Sequence, residues 1–144
     1  MTKKQRELIY QKYGGRCAYT GRPLEPDWQV DHMVSRYLFN YTIMKDCAYG
    51  DEYNKRKKEV NNTENLVPAL RIVNHYKRSL DLEGFRLYMK SFHKRLARLP
   101  KKTKVERSAK RKEYMKKVAD AFGITVDKPF GGLFYFETLT TPNN

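Results

Sequence analysis

An adjacent pair, Asp31-His32, followed far along the chain by Asn65 and Asn74, combines residue types that suit chemistry on a phosphodiester. An imidazole takes up a proton near neutral pH, as activation of an attacking water requires. A carboxylate and a carboxamide oxygen suit a hard cation such as Mg²⁺, which neutralises phosphate charge and stabilises a leaving oxygen. Neighbours on a strand point to opposite faces. Asp31 and His32 can therefore serve one site only where the strand ends.

The elements that must position these residues can be read from pattern. Residues 2–13 read as a helix with Thr2 as N-cap, stopped by Gly14-Gly15. Trp28 to Val34 reads as a strand leaving into a loop. Residues 38–44 fit either a strand or a helical turn, and 46–54 read as loop. Lys55-Arg56-Lys57-Lys58 follows, either an extra nucleic-acid contact or a solvated loop. A short strand is expected over 64–68 and a helix over 69–80. Leu82, Phe85, Met89, Phe92, Leu96 and Leu99 recur at helical spacing, predicting one helix that Pro100 ends. A further helix is expected over 103–122, with Val105, Ala109, Met115, Val118 and Phe122 inward and Gly123 closing it. Residues 130–136, rich in Gly and Phe, read as a Gly-hinged strand or a docking segment, and the aromatic stripes read as core.

Charge is the strongest bulk signal. Thirty Lys and Arg against sixteen Asp and Glu give +14 at pH 7. Residues 86–117 hold fourteen of these bases and two acids, a net +12 in one segment. Such a field concentrates polyanions, and Lys and Arg supply most sequence-independent nucleic-acid affinity. Lys101, Lys102, Lys104, Arg107, Lys110 and Arg111 are the expected phosphate contacts. With 40% apolar residues the chain can bury a core, and it has no run of the ~20 apolar residues a membrane span needs. The N-terminus has no hydrophobic signal core, so an intracellular, cytoplasmic protein is expected, with phage or mobile-element origin one setting for it. Two cysteines are too few for a disulfide framework or an all-cysteine zinc site.

Taken together, Asp31-His32, Asn65, Asn74 and Lys77, with the lead-in Gly14-Gly15-Arg16-Cys17-Ala18-Tyr19-Thr20-Gly21, resemble the HNH (ββα-metal) endonucleases. The resemblance covers about residues 5–95. It implies an α+β fold in which a ββα-metal core, about 14–82, is flanked by an N-terminal helix. A basic helical extension, about 83–122, and a tail, 123–144, would complete a single domain of 1–144. The implied activity is hydrolysis of DNA, leaving 5′-phosphate and 3′-hydroxyl ends. His32 would be the general base, and Asp31 and Asn74 would hold one divalent metal, Mg²⁺ or Mn²⁺. His75 is an alternative metal ligand. Asn65 would fix the loop and orient His32, and Lys77 or Arg36 would contact a phosphate or remain solvated.

The chain departs from that family in two respects. Many members bind structural zinc through two Cys-x-x-Cys pairs. The corresponding positions here are Cys17 and Thr20, then Leu70 and Val73, so no structural zinc is expected and apolar packing would fill the space. The segment between His32 and Asn65 is also longer than the family needs. His93 reads as a helix-surface residue. Two rival readings stay open: a catalytically silent nucleic-acid-binding protein on the same fold, and an RNA-directed or non-specific nuclease. Nicking against double-strand cleavage, and monomer against homodimer, are open as well.

Overall fold

The computed structural model describes residues 1–139. It is a mixed α+β structure, mostly helical, with one small antiparallel sheet. Helix α1 (Lys3–Gln11) begins at Thr2, whose hydroxyl accepts from the Gln5 amide while the Gln5 side chain accepts from the Thr2 amide. This reciprocal cap satisfies two otherwise unpaired donors. A tight turn over 17–22 follows, and then strand β1 (Gln29–His32). Strand β2 (Leu66–Ala69) pairs with β1 in the register Gln29 to Ala69, Asp31 to Val67 and His32 to Leu66. Helix α4 (Arg71–Lys77) follows β2 directly.

The two strands are separated by an inserted helical hairpin, α2 (Arg36–Lys45) and α3 (Gly50–Val60), and a 3-10 turn, Thr63–Asn65. Residues 38–44 are thus helical, started by Ser35, whose hydroxyl accepts from the Leu38 amide. The expected loop over 46–54 gives way to α3 from Gly50 onward. Asp51 and Glu52 stand in its first turn, where acids suit the helix dipole, and Arg56 bridges Glu52 and Asp46 at 2.8 Å each. Helix α2 has no buried residue, so the hairpin stands largely outside the core.

The stripe from Leu82 to Leu99 is not one helix but two, α5 (Leu82–Lys90) and α6 (Phe92–Ala97). Ser91 leaves helical geometry at φ −99°, ψ 4°. The Tyr88 carbonyl is taken by the Ser91 hydroxyl at 3.2 Å and the Arg95 guanidinium at 2.6 Å, side chains competing with the helical ladder. His93 is half-buried, not a surface residue, and its Nδ1 is buried without a partner. Helix α7 (Glu106–Phe122) starts three residues later than expected. Val105 and Ala109 are exposed, and the inward face begins at Met115.

The tail proves to be a docking segment. Phe134 is fully buried against Tyr19 and Phe85, and the Tyr135 and Phe136 amides donate to the carbonyls of Tyr19 and Ala18. A short helix, α8 (Tyr135–Leu139), takes the place of the alternative strand. Gly21 has φ +73°, and a Cβ there would lie 2.6 Å from the Tyr135 ring, so glycine answers both demands. Residues 140–144 of the predicted tail lie outside the described residues. The main core joins Cys17, Tyr19, Val67, Leu70, Val73, Phe85, Phe92, Val118 and Phe134. Leu70 and Val73 are thus core residues packed in one cluster with Cys17, as their apolar character implied. Among the described residues, no helix is long and apolar enough to cross a membrane.

Candidate functional site

His32 is the last residue of β1, and Asp31 precedes it on the opposite face. Asp31 is buried and His32 half-exposed. On the inner face, β1 and α4 meet through two polar contacts. Asn74 Nδ2 donates to Gln29 Oε1 at 2.7 Å, and Lys77 Nζ meets Asp31 Oδ2 at 3.1 Å. The contacts lie two residues apart on the strand and three apart on the helix, spacings that each keep one face of their element. Asp31 and Asn74 thus belong to successive contacts along the same strand–helix junction.

Lys77 does not occupy either place expected of it. It is fully buried, not solvated or facing a phosphate, and its ammonium also donates to the His32 carbonyl at 3.1 Å. It ties the two residues of the pair to α4. Tyr19, unrecognised as a site residue in the sequence although inside the Cys-Ala-Tyr-Thr-Gly lead-in, donates its hydroxyl to the same Asp31 oxygen at 2.5 Å. Burial, and then the carboxylate beside it, pushes the Tyr19 hydroxyl well above its ordinary pKa, so it remains a donor. Burial also raises the Asp31 carboxyl, against the opposing pull of Lys77 and Tyr19.

Both contacts fall on Asp31 Oδ2. Among the described residues Oδ1 takes no hydrogen bond, and it is not sealed from solvent. The Asn74 amide is oriented by its N–H on Gln29, which leaves its oxygen without a partner among the described residues. Two hard oxygens, one of them anionic, fit a divalent cation such as Mg²⁺. Because Lys77 already neutralises part of the Asp31 charge, this pair alone makes a weak cation site, one that phosphate oxygens would complete. Among the described residues there is no cluster of three His, Cys, Asp or Glu, so the carboxamide matters here. His75, the alternative ligand, instead contacts the Tyr114 hydroxyl through Nδ1 at 3.2 Å.

The outer face holds His32. Its Nε2 lies 3.2 Å from Asn61 Oδ1, and Asn61 Nδ2 donates to the Lys57 carbonyl at 3.0 Å. The second bond fixes which end of the amide faces the ring. An oxygen there requires Nε2 to carry the proton, which leaves Nδ1 with the lone pair. Asn61 is a second residue that the sequence pattern did not reveal. Asn65 does fix the loop: its Oδ1 accepts from the Val34 amide at 2.8 Å, and its Nδ2 donates to Val34 and Val60 carbonyls at 3.1 and 2.7 Å. It staples both roots of the inserted hairpin, while the ring itself is oriented by Asn61. The two tasks expected of Asn65 are thus divided.

Arg36, Lys101, Lys102, Lys104, Arg107, Lys110 and Arg111 are exposed. Lys110 pairs with Glu106 at 3.1 Å on the surface of α7, a contact worth little in water. Comparison of the chain with protein families, with curated proteins and with solved structures finds no match in any of the three.

Proposed function

We propose that this protein is a metal-dependent endonuclease that hydrolyses DNA phosphodiester bonds by HNH-type chemistry. The observation that carries this reading is His32 at the end of β1, held as the Nε2–H tautomer beside a strand–helix junction offering Asp31 and Asn74 oxygens. The order β1, β2, α4, with Asn65 closing the intervening loop, is the order a ββα-metal unit requires.

In this mechanism His32 Nδ1 takes the proton of the attacking water, and Asn61 stabilises the imidazolium through the Nε2–H it already accepts. Lys77 and Tyr19 hold the Asp31 carboxylate through Oδ2, which leaves Oδ1 for a ligand. When bound by Asp31 and Asn74, a divalent cation, Mg²⁺ or Mn²⁺, supplies charge neutralisation at the phosphate and stabilisation of the leaving oxygen. The basic stretch over 86–117 supplies backbone affinity that falls with salt.

Conversion of supercoiled plasmid to open-circle and linear forms, with Mg²⁺ or Mn²⁺ against EDTA, tests the reading. The expected result is metal-dependent cleavage that His32→Ala abolishes while DNA affinity stays within about twofold, since a base acts on the proton and not on phosphate binding. Cleavage by His32→Ala at the wild-type rate overturns the site. Salt-sensitive DNA binding with no cleavage by either protein points to a binding module.

A further inference from the structure

Beyond Asn74, α4 and α7 and the segment 22–29 enclose an open groove of about 1260 Å³. Arg71, Asn74, His75 and Arg78 form its α4 wall, and Tyr114 and Lys117 face them from α7. The groove reaches the candidate site at one pair, Asn74 and its partner Gln29, which both line it, while Asp31 and His32 do not.

The residue that stands out is Arg78. The Leu80 amide donates to the Lys77 carbonyl at 3.3 Å, closing a four-residue turn with Arg78 in its second position. Arg78 has φ 55°, ψ −133°, the geometry of a type II′ turn, where glycine belongs. A side chain there strains the backbone. Nothing in the fold uses that side chain: it is exposed, and it makes no hydrogen bond or ion pair among the described residues. The turn itself is needed, since it follows Lys77 directly and its Ser79 carbonyl accepts from the Ser35 hydroxyl at 2.9 Å. An arginine where glycine would relax the turn implies a use for the guanidinium outside the fold. Burial raises the Tyr114 hydroxyl across the groove, and the Arg78 charge opposes that rise. Arg71, by contrast, shares its charge with Asp27 at 3.8 Å. Lys117 pairs with Glu113 at 3.3 Å, Arg22 donates to the Asp120 carbonyl at 2.8 Å, and Glu25, Asp27 and Asp120 line the groove as well, so Arg78 is the lining base left without a partner among the described residues.

We propose that this groove carries the phosphate backbone of the nucleic-acid strand that passes Asn74, with Arg78 as a phosphate contact beside the reacting centre. The inference rests on the nuclease reading for its substrate. A guanidinium grips a phosphate with two parallel N–H donors, which a lysine cannot reproduce. The basic 101–111 stretch would then add affinity at a distance from the cut.

The test is fluorescence anisotropy of a short DNA duplex across a salt series in EDTA, with thermal melting of each variant alongside. Arg78→Gly removes strain and guanidinium together. Its melting temperature should equal or exceed the wild type, while DNA affinity falls about tenfold and the log–log salt slope drops by about one. Arg78→Lys should keep most of the slope but only part of the affinity. Should Arg78→Gly fail to fold, Arg78→Gln decides by the same binding criteria. Wild-type affinity and slope in Arg78→Gly, or in Arg78→Gln, overturn the proposal. Because the assay contains no metal and reads no cleavage, a groove failure leaves the plasmid result standing. An inactive plasmid assay likewise leaves the groove standing as a binding surface.

Discussion

The two faces of β1 solve opposite problems one residue apart. On the inner face, Asp31 is a carboxylate in the core, tied to a fully buried ammonium and a buried phenol. On the outer face, His32 is half-exposed and depends on one amide reached from the inserted hairpin. The inner group is held by electrostatics that solvent does not screen, and the outer one by a hydrogen bond that water competes for. A ligand-holding oxygen benefits from rigidity. A base must gain and lose a proton, and solvent access serves that.

This contrast predicts a steep difference between the faces. Lys77→Met leaves Asp31 buried and unpaired and should cost about 3 kcal/mol or more in urea unfolding, with cleavage lost as well. Asp31→Leu combined with Lys77→Met should recover most of the stability and none of the cleavage. A loss below ~1 kcal/mol would mean that Asp31 is effectively solvated, and the contrast would collapse.

Asn61→Ala should act on the outer face alone. Cleavage should fall about 10- to 100-fold through loss of the tautomer and ring orientation, with the unfolding midpoint unchanged. Asn61→Asp should restore part of the rate by accepting the same Nε2–H. An unaltered rate in Asn61→Ala would remove Asn61 from the site.

The smallest effect concerns the docked tail, which packs behind Tyr19. Arg86 holds the Glu137 carboxyl below its ordinary value of 4.5, chiefly through hydrogen bonds at 2.6 and 2.7 Å. A depressed folded-state pKa stabilises docking above the unfolded value and loses that contribution as pH falls through the folded one. Hydrogen exchange at the Tyr135 and Phe136 amides should therefore lose protection, relative to intrinsic rates, below about pH 4.5. In Glu137→Gln that acid-dependent change should vanish. Undocking that loosens Tyr19 would tie the tail to the inner face, and exchange independent of pH would separate them.

Much of the outline was legible without coordinates. The N-cap at Thr2, a strand within Trp28 to Val34, and the apolar stripe from Leu82 follow from local rules of capping and periodicity, while the end of that strand at His32 was set by the structure. What misled was also local. Ser35 is a helix start hidden in an apolar-aromatic run, and Ser91 breaks a periodic stripe because its hydroxyl and Arg95 capture the Tyr88 carbonyl. Periodicity reports which face is apolar, and it does not register a side chain that competes for a backbone acceptor.

For the site, the residue types and their order along the chain were set by sequence alone: a carboxylate and an imidazole in the first strand segment, an amide in the second, another amide on the helix. Their partners were decided by tertiary structure. Tyr19 reaches Asp31 over 12 positions, Asn61 reaches His32 over 29, and Lys77 reaches the His32 carbonyl over 45. A lysine in an exposed-looking helix end and an asparagine at the end of a polar helix have no local pattern that marks them. Burial made Lys77 an internal counter-charge, and the Lys57 carbonyl chose the end of Asn61 that faces the imidazole, because a low-dielectric interior in the first case and a fixed acceptor in the second leave those groups a single satisfied arrangement.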